Sequence, residues 1–340
     1  MLRSENINEK ITVIAEAGVN HNGDFNKALE LIDVASECGA DFIKFQTFNA
    51  TNIVSASANL AAYQEASTSY KNQLDMLTDL ELKYEWHQDL IEYCRTKAIG
   101  FITTPFDLEA VTYLAQLEMG LFKIPSGEIT NLPHLREISK LGKKVILSTG
   151  MANLGEIESA IMALTANGLD RNMITLLHCT SEYPAPLEEV NLSVIDTLKN
   201  AFNLPVGYSD HTEGITISIA AAAMGARVIE KHFTLDRNLP GPDHKASIEP
   251  HDLCKMIKSI RQVEKALGSP LKEPSPSESK NIISVRKSLV ASKFINKGVP
   301  FTLDNVTTKR PGNGISPMRI DEIIGRKAHK SFEPDELISI

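Results

Sequence analysis

Residues 144–179 read KVILSTGMANLGEIESAIMALTANGLDRNMITLLHC. A short apolar run comes first, followed by apolar residues at helical spacing, a glycine that is typical of a helix end, and a second apolar run. This order predicts a strand, a helix and a second strand. The helix carries the chain back across the sheet, so the two strands are expected to be parallel.

The same rhythm occurs eight times along the chain. The predicted strands begin at Ile11, Phe42, Gly100, Leu121, Lys144, Met173, Leu204 and Arg227. Eight units, without a G-x-G-x-x-G turn after the first strand, favour a closed (β/α)8 TIM barrel. A doubly wound open sheet is the alternative. In both cases the fold class is α/β.

Two irregular stretches divide the chain. The connection from residue 49 to residue 80 is far longer than a usual βα loop and is expected to cover the substrate. The segment SPLKEPSPSESK is rich in proline and serine, which is typical of a linker. We therefore predict a barrel at 1–268, a linker at 269–281 and a small β-rich domain at 282–340.

The composition of the chain makes some classes of function less suitable than others. Apolar residues make up 42% of the chain and charged residues 23%, as in soluble globular proteins. The formal net charge of −8 argues against a broad nucleic-acid surface. The N-terminal segment lacks the pattern of a secretory leader, and no apolar run is long enough to span a membrane.

The cysteines of the chain bear on the compartment in which the protein resides. Four cysteines, Cys38, Cys94, Cys179 and Cys254, are scattered along the chain. This spacing predicts reduced thiols and argues against a disulfide framework. We expect a cytoplasmic protein.

Reactive side chains of a barrel gather at the C-terminal ends of its strands. That rule selects Glu16, Lys44, Gln46, Thr104, Lys123, Ser126, Glu128, Ser148, Tyr183, Ser209, Asp210, His211, Glu230 and His232. Charged residues inside apolar strands are unfavourable unless they are paired or used. These residues are therefore candidates for an active site.

Two histidines are candidate metal ligands. His211 and His232 end neighbouring strands, and closure of the ring brings Glu16 alongside. Imidazole and carboxylate ligands with open positions suit manganese, iron, cobalt or magnesium better than a closed zinc site. The alternative is that one histidine only forms a hydrogen bond. His178 is expected to be a hydrogen-bonded barrel residue, and Asn-Gly-Asp after His21 predicts a turn and a helix start.

Two lysines are candidate anion ligands. Lys44 and Lys123 would lie beside the hydroxyls of strand ends, forming a pocket for a phosphate and a carboxylate. Alternatively, both lysines lean outward along the helices. Glu16 could also be a structural carboxylate paired with one of them.

Nine segments, in order along nearly the whole chain, are similar to those of one family. They are IAEAGVNHNGD, DFIKFQTF, ITTPFD, FKIPSGEI, ILSTGMA, HCTSEYPAP, GYSDHTEG, IEKHFTLDRNLPGPDHKAS and KRPGNGI. On these segments the chain resembles the sialic acid synthase family, which condenses phosphoenolpyruvate with acylated amino sugars. The resemblance implies that the C-terminal domain is the antifreeze-like (SAF) domain of these enzymes.

The resemblance also implies roles for individual residues. His211 and His232 would bind a divalent ion, Mn²⁺ before Mg²⁺ or Co²⁺, which polarises the aldehyde of the sugar. Glu16, Lys44 and Lys123 would be catalytic, with Glu16 handling the attacking water. Phosphoenolpyruvate would also contact Thr104, Ser126, Ser148 and Ser209. The sugar would face Gln46, Glu128, Tyr183, Asp243 and, from a domain-swapped partner subunit, Arg310. The expected assembly is a homodimer.

One departure bears on the sugar. Family members that use N-acetylmannosamine carry an Asn at the position of Ser181 and an apolar residue at Glu182. The CTSEYP form is more similar to legionaminic acid synthases, whose acceptor is 2,4-diacetamido-2,4,6-trideoxymannose. An N-acetylneuraminic acid synthase is the alternative, and a pseudaminic acid synthase ranks third.

Two rival functions lie outside this reaction. The antifreeze-like tail alone would fit a sugar-binding or ice-binding protein, which has no need of Glu16, Lys44 and Lys123. A barrel aldolase would instead form a Schiff base on Lys123, which borohydride trapping would detect.

Overall fold

The computed structural model describes residues 10–55, 57–60, 68, 70–117 and 119–340. The chain divides into two compact units, Met1–Gly268 and Ser269–Ile340. The composition of the linker predicts a break at this place. Within the predicted linker the structure has one short helix.

Eight parallel strands form the sheet of the first unit. They are β1 Thr12–Gly18, β2 Phe42–Thr47, β3 Gly100–Pro105, β4 Leu121–Ile124, β5 Lys144–Ser148, β6 Ile174–His178, β7 Val206–Asp210 and β8 Val228–His232. Their hydrogen-bonded order is β3-β2-β1-β8-β7-β6-β5-β4, and β3 also contacts β4. The predicted barrel is confirmed, and the open doubly wound sheet is wrong.

Helices follow the strands and cover the outside of the sheet. Those of the first unit are α1 Phe25–Glu37, α2 Ala50–Ile53, α3 Gln73–Asp79, α4 His87–Thr96, α5 Leu108–Leu114, α6 Leu132–Lys140, α7 Leu154–Thr165, α8 Val194–Phe202, α9 Thr216–Ala223 and α10 Pro250–Leu267. Among the residues that the structure describes, no helix is long and apolar enough to cross a membrane.

The local sequence explains where these helices begin and which face they bury. Asp24 caps α1, because its carboxylate accepts hydrogen bonds from the backbone N–H groups of Asn26 and Lys27. The predicted turn and helix start after His21 are thus confirmed. Helix α1 buries Ala28, Leu31, Ile32 and Ala35, whose spacing places them on one face.

The barrel interior is layered, and the layers place the active site. A lower apolar layer contains Ile14, Ile102, Ile146, Leu177 and Val228. Side chains alternate along a strand, so the residue two positions further on points inward again. At those positions the strands carry Glu16, Thr104, Ser148, Cys179 and Glu230. Polar groups therefore lie directly above an apolar floor, towards the C-terminal ends of the strands.

The long connection after β2 is partly described. Met76 and Leu80 form an apolar cluster with Val19 and Phe48, and Phe106 packs against it. Residues 56, 61–67 and 69 of this connection lie outside the described residues, as do residues 1–9, on which the expectation about a secretory leader partly rests. Its role in covering the substrate stays a prediction.

The second unit has its own core. Its elements are α11 Pro276–Ser279, α12 Ile282–Val285, β9 Ser288–Ala291, β10 Val306–Lys309 and α13 Ile320–Ile323. Strands β9 and β10 pair antiparallel, and several isolated bridges extend the pairing. Buried Leu289, Phe301 and Phe332 lie at the centre. The expected small β-rich module is confirmed.

One sequence prediction about the cysteines is wrong. Cys38, at the end of α1, forms a disulfide with Cys254 in α10, across 216 residues of sequence. Closure of the barrel places the first and last helices side by side, which linear spacing does not reveal. Cys94 and Cys179 are free, as expected.

This disulfide gives a stability prediction. Replacing Cys254 by Ser should lower the free energy of unfolding by about 2–5 kcal/mol, because a crosslink across a long loop restricts the unfolded chain. Urea unfolding of the oxidised protein and of the variant measures the difference. Dithiothreitol should bring the wild type to the level of the variant and leave the variant unchanged. Identical midpoints with and without the reductant would contradict the crosslink.

Candidate active site

A cavity of about 330 Å³ opens among the C-terminal ends of the strands. The predicted site residues that line it are Glu16, Lys44, Gln46, Thr104, Lys123, Ser126, Ser148, Tyr183, Ser209, His211 and His232. Glu230, Cys179, Ser181 and Glu182 also line it. The structure therefore brings most of the predicted residues together at this rim, and their roles stay predictions.

A larger cavity, of about 930 Å³, lies at the opposite mouth of the barrel. Lys144, Lys199 and Arg227 line it together with strand starts. Among the described residues, its lining contains no imidazole and no carboxylate. Volume alone does not identify the chemical site, and we assign the chemistry to the smaller cavity because its ionisable groups converge there.

Lys44 connects strands β1, β2 and β3. Its Nζ lies 2.7 Å from Glu16 Oε2 and 3.6 Å from Glu230 Oε2, and it donates a 3.1 Å hydrogen bond to Thr104 Oγ1. All of these side chains are buried. The alternative in which Lys44 leans outward is wrong. Glu16 does pair with a lysine, which is the contact that the structural alternative for Glu16 predicts.

Lys123 lies on the other side of Glu230. Its Nζ is 3.4 Å from Glu230 Oε1, and the same oxygen accepts a 2.8 Å hydrogen bond from Ser209 Oγ. Lys123 is buried, so it too points into the barrel. Glu230 thus holds two cations near each other.

The carboxyl groups of Glu16 and Glu230 differ in their pKa values. Burial raises the pKa of Glu16 to about 7, although the charge of Lys44 opposes this shift. Burial also opposes ionisation of Glu230, but the charges of Lys123 and Lys44 lower its pKa to about 2. Burial lowers the pKa of Lys123. Near neutral pH, Glu230 is therefore a permanent anion, whereas Glu16 can both accept and release a proton.

A small polar cradle lies next to Lys123. The backbone N–H of Gly150 donates a 3.0 Å hydrogen bond to Ser126 Oγ, which also contacts Cys179 Sγ at 3.2 Å. A Cβ on Gly150 would lie 2.3 Å from Ser181 Oγ and 2.8 Å from Ser126 Oγ. Only glycine fits there. Lys123, hydroxyls and a close backbone are what an anionic phosphate requires.

The two imidazoles lie together as predicted. The ring centroids of His211 and His232 are 5.8 Å apart, and Tyr183 packs against His211 with centroids 4.2 Å apart. His211 Nδ1 lies 2.6 Å from the carbonyl oxygen of Thr180, which leaves Nε2 facing Ser209 Oγ at 3.4 Å. Burial lowers the pKa of both histidines, so the rings are neutral and carry a free nitrogen lone pair.

Asp243 comes from the loop after β8 and joins this group. Gly18 ends β1 with φ of +53°, and a Cβ there would lie 3.3 Å from Gln46 Nε2, 3.3 Å from His232 Cε1 and 3.4 Å from Asp243 Oδ2. Burial raises the pKa of Asp243 to about 6. The structure thus brings Gln46 and Asp243 to His232.

Among the predicted residues of the first unit, Glu128 and Asp210 do not point into this cavity. Glu128 lines a neighbouring cavity with Asp107 and His134 and is absent from the lining of the main one. Its carboxylate accepts a hydrogen bond from Asn131 Nδ2. Arg310 belongs to the second unit, where its Nε donates to the carbonyl oxygen of Val285.

The donor set can be tested against a divalent ion. No cluster of three or more His, Cys, Asp or Glu side chains forms a ready-made metal site in the described part of the chain. His232 Nδ1 is nevertheless buried without a hydrogen-bond partner, 3.9 Å from Asp243 Oδ2. Two neutral imidazoles beside a carboxylate fit an ion that takes its other ligands from water or substrate.

The structure also shows the surroundings of His178 and Glu230. His178 Nε2 lies 2.7 Å from the carbonyl oxygen of Val190, which confirms its structural role. Glu230 was selected as a rim residue but received no function, although it is the centre of the ion-pair network. The signal that could have identified it is its position two residues after Val228, because alternation then puts it in the same inward-facing layer as Lys44 and Lys123.

Comparison with known proteins identifies the family of this chain. A model of the NeuB family matches residues 31–272, and one of the SAF domain matches residues 286–340. The chain is 58% identical over 331 residues to N,N'-diacetyllegionaminic acid synthase of Campylobacter jejuni, covering 97% of this chain and 99% of that protein. It is 36% identical to human N-acetylneuraminate-9-phosphate synthase, covering 96% and 90%.

A solved structure agrees. The N-acetylneuraminic acid (sialic acid) synthetase of Leptospira borgpetersenii superimposes with a TM-score of 0.71 at 37% identity, covering 80% of this chain and 90% of that one. The resemblance seen in the sequence is confirmed. The chain belongs to the NeuB family and carries a SAF domain at its C-terminal end.

Proposed function

We propose that this protein condenses phosphoenolpyruvate with 2,4-diacetamido-2,4,6-trideoxymannose to N,N'-diacetyllegionaminic acid, a nine-carbon 2-keto sugar acid, and releases phosphate. The observation that carries the reaction is the convergence of Glu16, Lys44, Lys123 and two imidazoles in one buried cavity. The choice of sugar is supported by the legionaminic acid synthase that shares 58% of its residues.

Phosphoenolpyruvate would bind on the lysine side of the cavity. Lys123, the cradle at Ser126 and Gly150, and the hydroxyls of Ser148 and Ser209 offer donors to its anionic groups. Lys44 and Thr104 complete this wall. Binding an anion here would draw the lysines away from Glu230, so that their ion pairs with Glu230 are exchanged for substrate contacts.

The acceptor sugar would lie towards the histidines, beside Gln46, Tyr183 and Asp243. His211 and His232, with Asp243 nearby, would hold a divalent ion, proposed to be Mn²⁺. Such an ion supplies Lewis-acid polarisation of the aldehyde oxygen. The residues of the cavity position the two substrates, so that C3 of phosphoenolpyruvate lies next to the aldehyde carbon.

Glu16 would then handle the water. As the bond between C3 and the aldehyde carbon forms, positive charge develops at C2 of phosphoenolpyruvate. Glu16 takes a proton from the water that adds to C2, and the C2–O bond to phosphate breaks. In the balance, one proton of the water ends on the former aldehyde oxygen, which becomes a hydroxyl, and the other leaves with the phosphate. Phosphate leaves with the bridging oxygen, and the oxygen of the water becomes the keto oxygen. The raised pKa of Glu16 matches this role near neutral pH.

Assembly and location are also proposals. We propose a domain-swapped homodimer in which Arg310 contacts the sugar bound by the partner subunit, as the family resemblance implies. We also propose a cytoplasmic location. The Cys38–Cys254 disulfide removes the argument for this location from scattered reduced thiols.

Phosphate release with purified protein tests the reaction and its acceptor. We expect release only when phosphoenolpyruvate and a sugar are both present. The value of kcat/KM should favour 2,4-diacetamido-2,4,6-trideoxymannose over N-acetylmannosamine by about 10–200-fold, the range that differences in pocket contacts produce. A preference for N-acetylmannosamine would instead identify an N-acetylneuraminic acid synthase. No release with either sugar would contradict the reaction.

A further inference from the structure

A second buried ion pair lies directly behind the two histidines. Lys231 Nζ is 3.0 Å from Asp210 Oδ2, and both side chains are about 1% exposed. Asp210 ends β7 and Lys231 is its partner in β8. Because side chains alternate along a strand, this pair faces the helix layer, whereas Ser209 and Glu230 face the cavity.

The pair is fully hydrogen-bonded. Asp210 Oδ1 accepts hydrogen bonds from Thr212 N at 2.9 Å and Thr212 Oγ1 at 2.7 Å, and Oδ2 accepts one from Ser218 Oγ at 2.6 Å. Lys231 Nζ donates a 2.8 Å hydrogen bond to the carbonyl oxygen of Thr212. The network therefore ties together β7, β8, helix α9 and the turn after β7.

Each residue of this ion pair is the chain neighbour of one of the two histidines. Asp210 immediately precedes His211, and Lys231 immediately precedes His232. Asp210 also binds the backbone of Thr212, so it closes the turn on both sides of His211. Lys231 joins that turn to the strand that carries His232.

Stability alone gives a weak reason for such a pair. Removing two charges from water is unfavourable, and apolar side chains of similar volume often give equal or greater stability. A fixed, hydrogen-bonded pair does, however, set the distance and orientation of the strand ends that it joins. Residues behind metal-binding histidines act in this way on affinity.

We propose that Asp210 and Lys231 are positioning residues that hold the imidazoles of His211 and His232 in the geometry that binds the divalent ion. This inference rests on the proposed function, since it takes these imidazoles as the metal ligands. Neither residue touches the substrate, because both lie on the outer face of the sheet.

The test compares Lys231→Met with a matched control. The control, Arg261→Met, also removes a cation from a hydrogen-bonded network. Arg261 binds Asp41, Glu264 and the carbonyl oxygen of Ile11, near the start of β1 and away from the histidines. The dissociation constant of Mn²⁺ is measured by electron paramagnetic resonance of free Mn²⁺, and the melting temperature is measured in parallel. Ser218→Ala, which removes only one donor to Asp210, is a milder variant that keeps both charges.

We expect Lys231→Met to raise the dissociation constant of Mn²⁺ by about 10–100-fold and to lower kcat at fixed Mn²⁺, with an unchanged KM for phosphoenolpyruvate. Ser218→Ala should produce a smaller increase in the same constant. Arg261→Met should lower the melting temperature only.

The inference is overturned if Lys231→Met, or Ser218→Ala should Lys231→Met not fold, loses stability but binds Mn²⁺ like the wild type. Failure of the proposed function gives a different result. In that case the wild type itself shows no saturable Mn²⁺ binding that depends on His232, and the positioning role falls with the site.

Discussion

Glu16→Gln lowers kcat by about 10²–10⁴-fold and leaves the protein folded, which is the expected result for loss of a general base. Glutamine keeps the volume and one acceptor oxygen, so Lys44 retains a hydrogen-bond partner. It cannot take a proton from water. Steady-state phosphate release and the melting temperature measure the two effects.

Glu158→Gln is the matched control for Glu16→Gln. Glu158 lies on the exposed face of α7, and its variant should behave as the wild type. A Glu16→Gln enzyme with more than a tenth of wild-type kcat would exclude the general base role.

The pH profile of the wild type gives a further check on Glu16. Burial raises its pKa to about 7, so the proportion of the basic carboxylate rises as the pH rises through 7. We expect kcat/KM to rise about tenfold per pH unit below 7 and to level off above it. A flat profile between about pH 5.5 and 8 would contradict this assignment.

His232→Ala is expected to lower turnover by at least about 10²-fold. The variant lacks one of the two imidazoles that would hold the divalent ion, and Lewis-acid stabilisation amounts to several kcal/mol, at about 1.4 kcal/mol for each tenfold in rate. Turnover is measured after treatment with a chelator and again after addition of Mn²⁺. The wild type should lose activity and regain it, whereas the variant should not regain it.

His251→Ala is the control, because His251 is an exposed histidine on α10 that does not line the cavity. It should follow the wild type through both treatments. Full wild-type activity in the presence of the chelator would contradict the need for a metal.

Much of the fold was predictable because it repeats. Each unit of apolar strand and amphipathic helix carries its own signal, and eight of them leave few ways to arrange the sheet. The inward position of Lys44 and Lys123 also followed from sequence, since alternation places them with Glu16 and Thr104 once the strands are known. The packing of His178 against a backbone carbonyl was predicted for similar reasons.

The features that the sequence did not predict depend on distances in space, which cannot be read from the spacing of residues along the chain. Cys38 and Cys254 meet because the ring closes, and the 216 intervening residues give no sign of it. The central position of Glu230 depends on three strands at once. Glu128 comes one turn after β4, where a small rotation of the chain moves a side chain into the neighbouring cavity.

The central claim is that phosphoenolpyruvate binds among the lysines of the smaller cavity, with its reacting carbon towards the histidines. A crystal structure of the protein soaked with phosphoenolpyruvate and Mn²⁺ tests it most directly. We expect the phosphate to contact Lys123 and Ser126, and C3 to face His211 and His232. Phosphoenolpyruvate bound only at the opposite mouth, beside Lys144 and Arg227, would contradict the account.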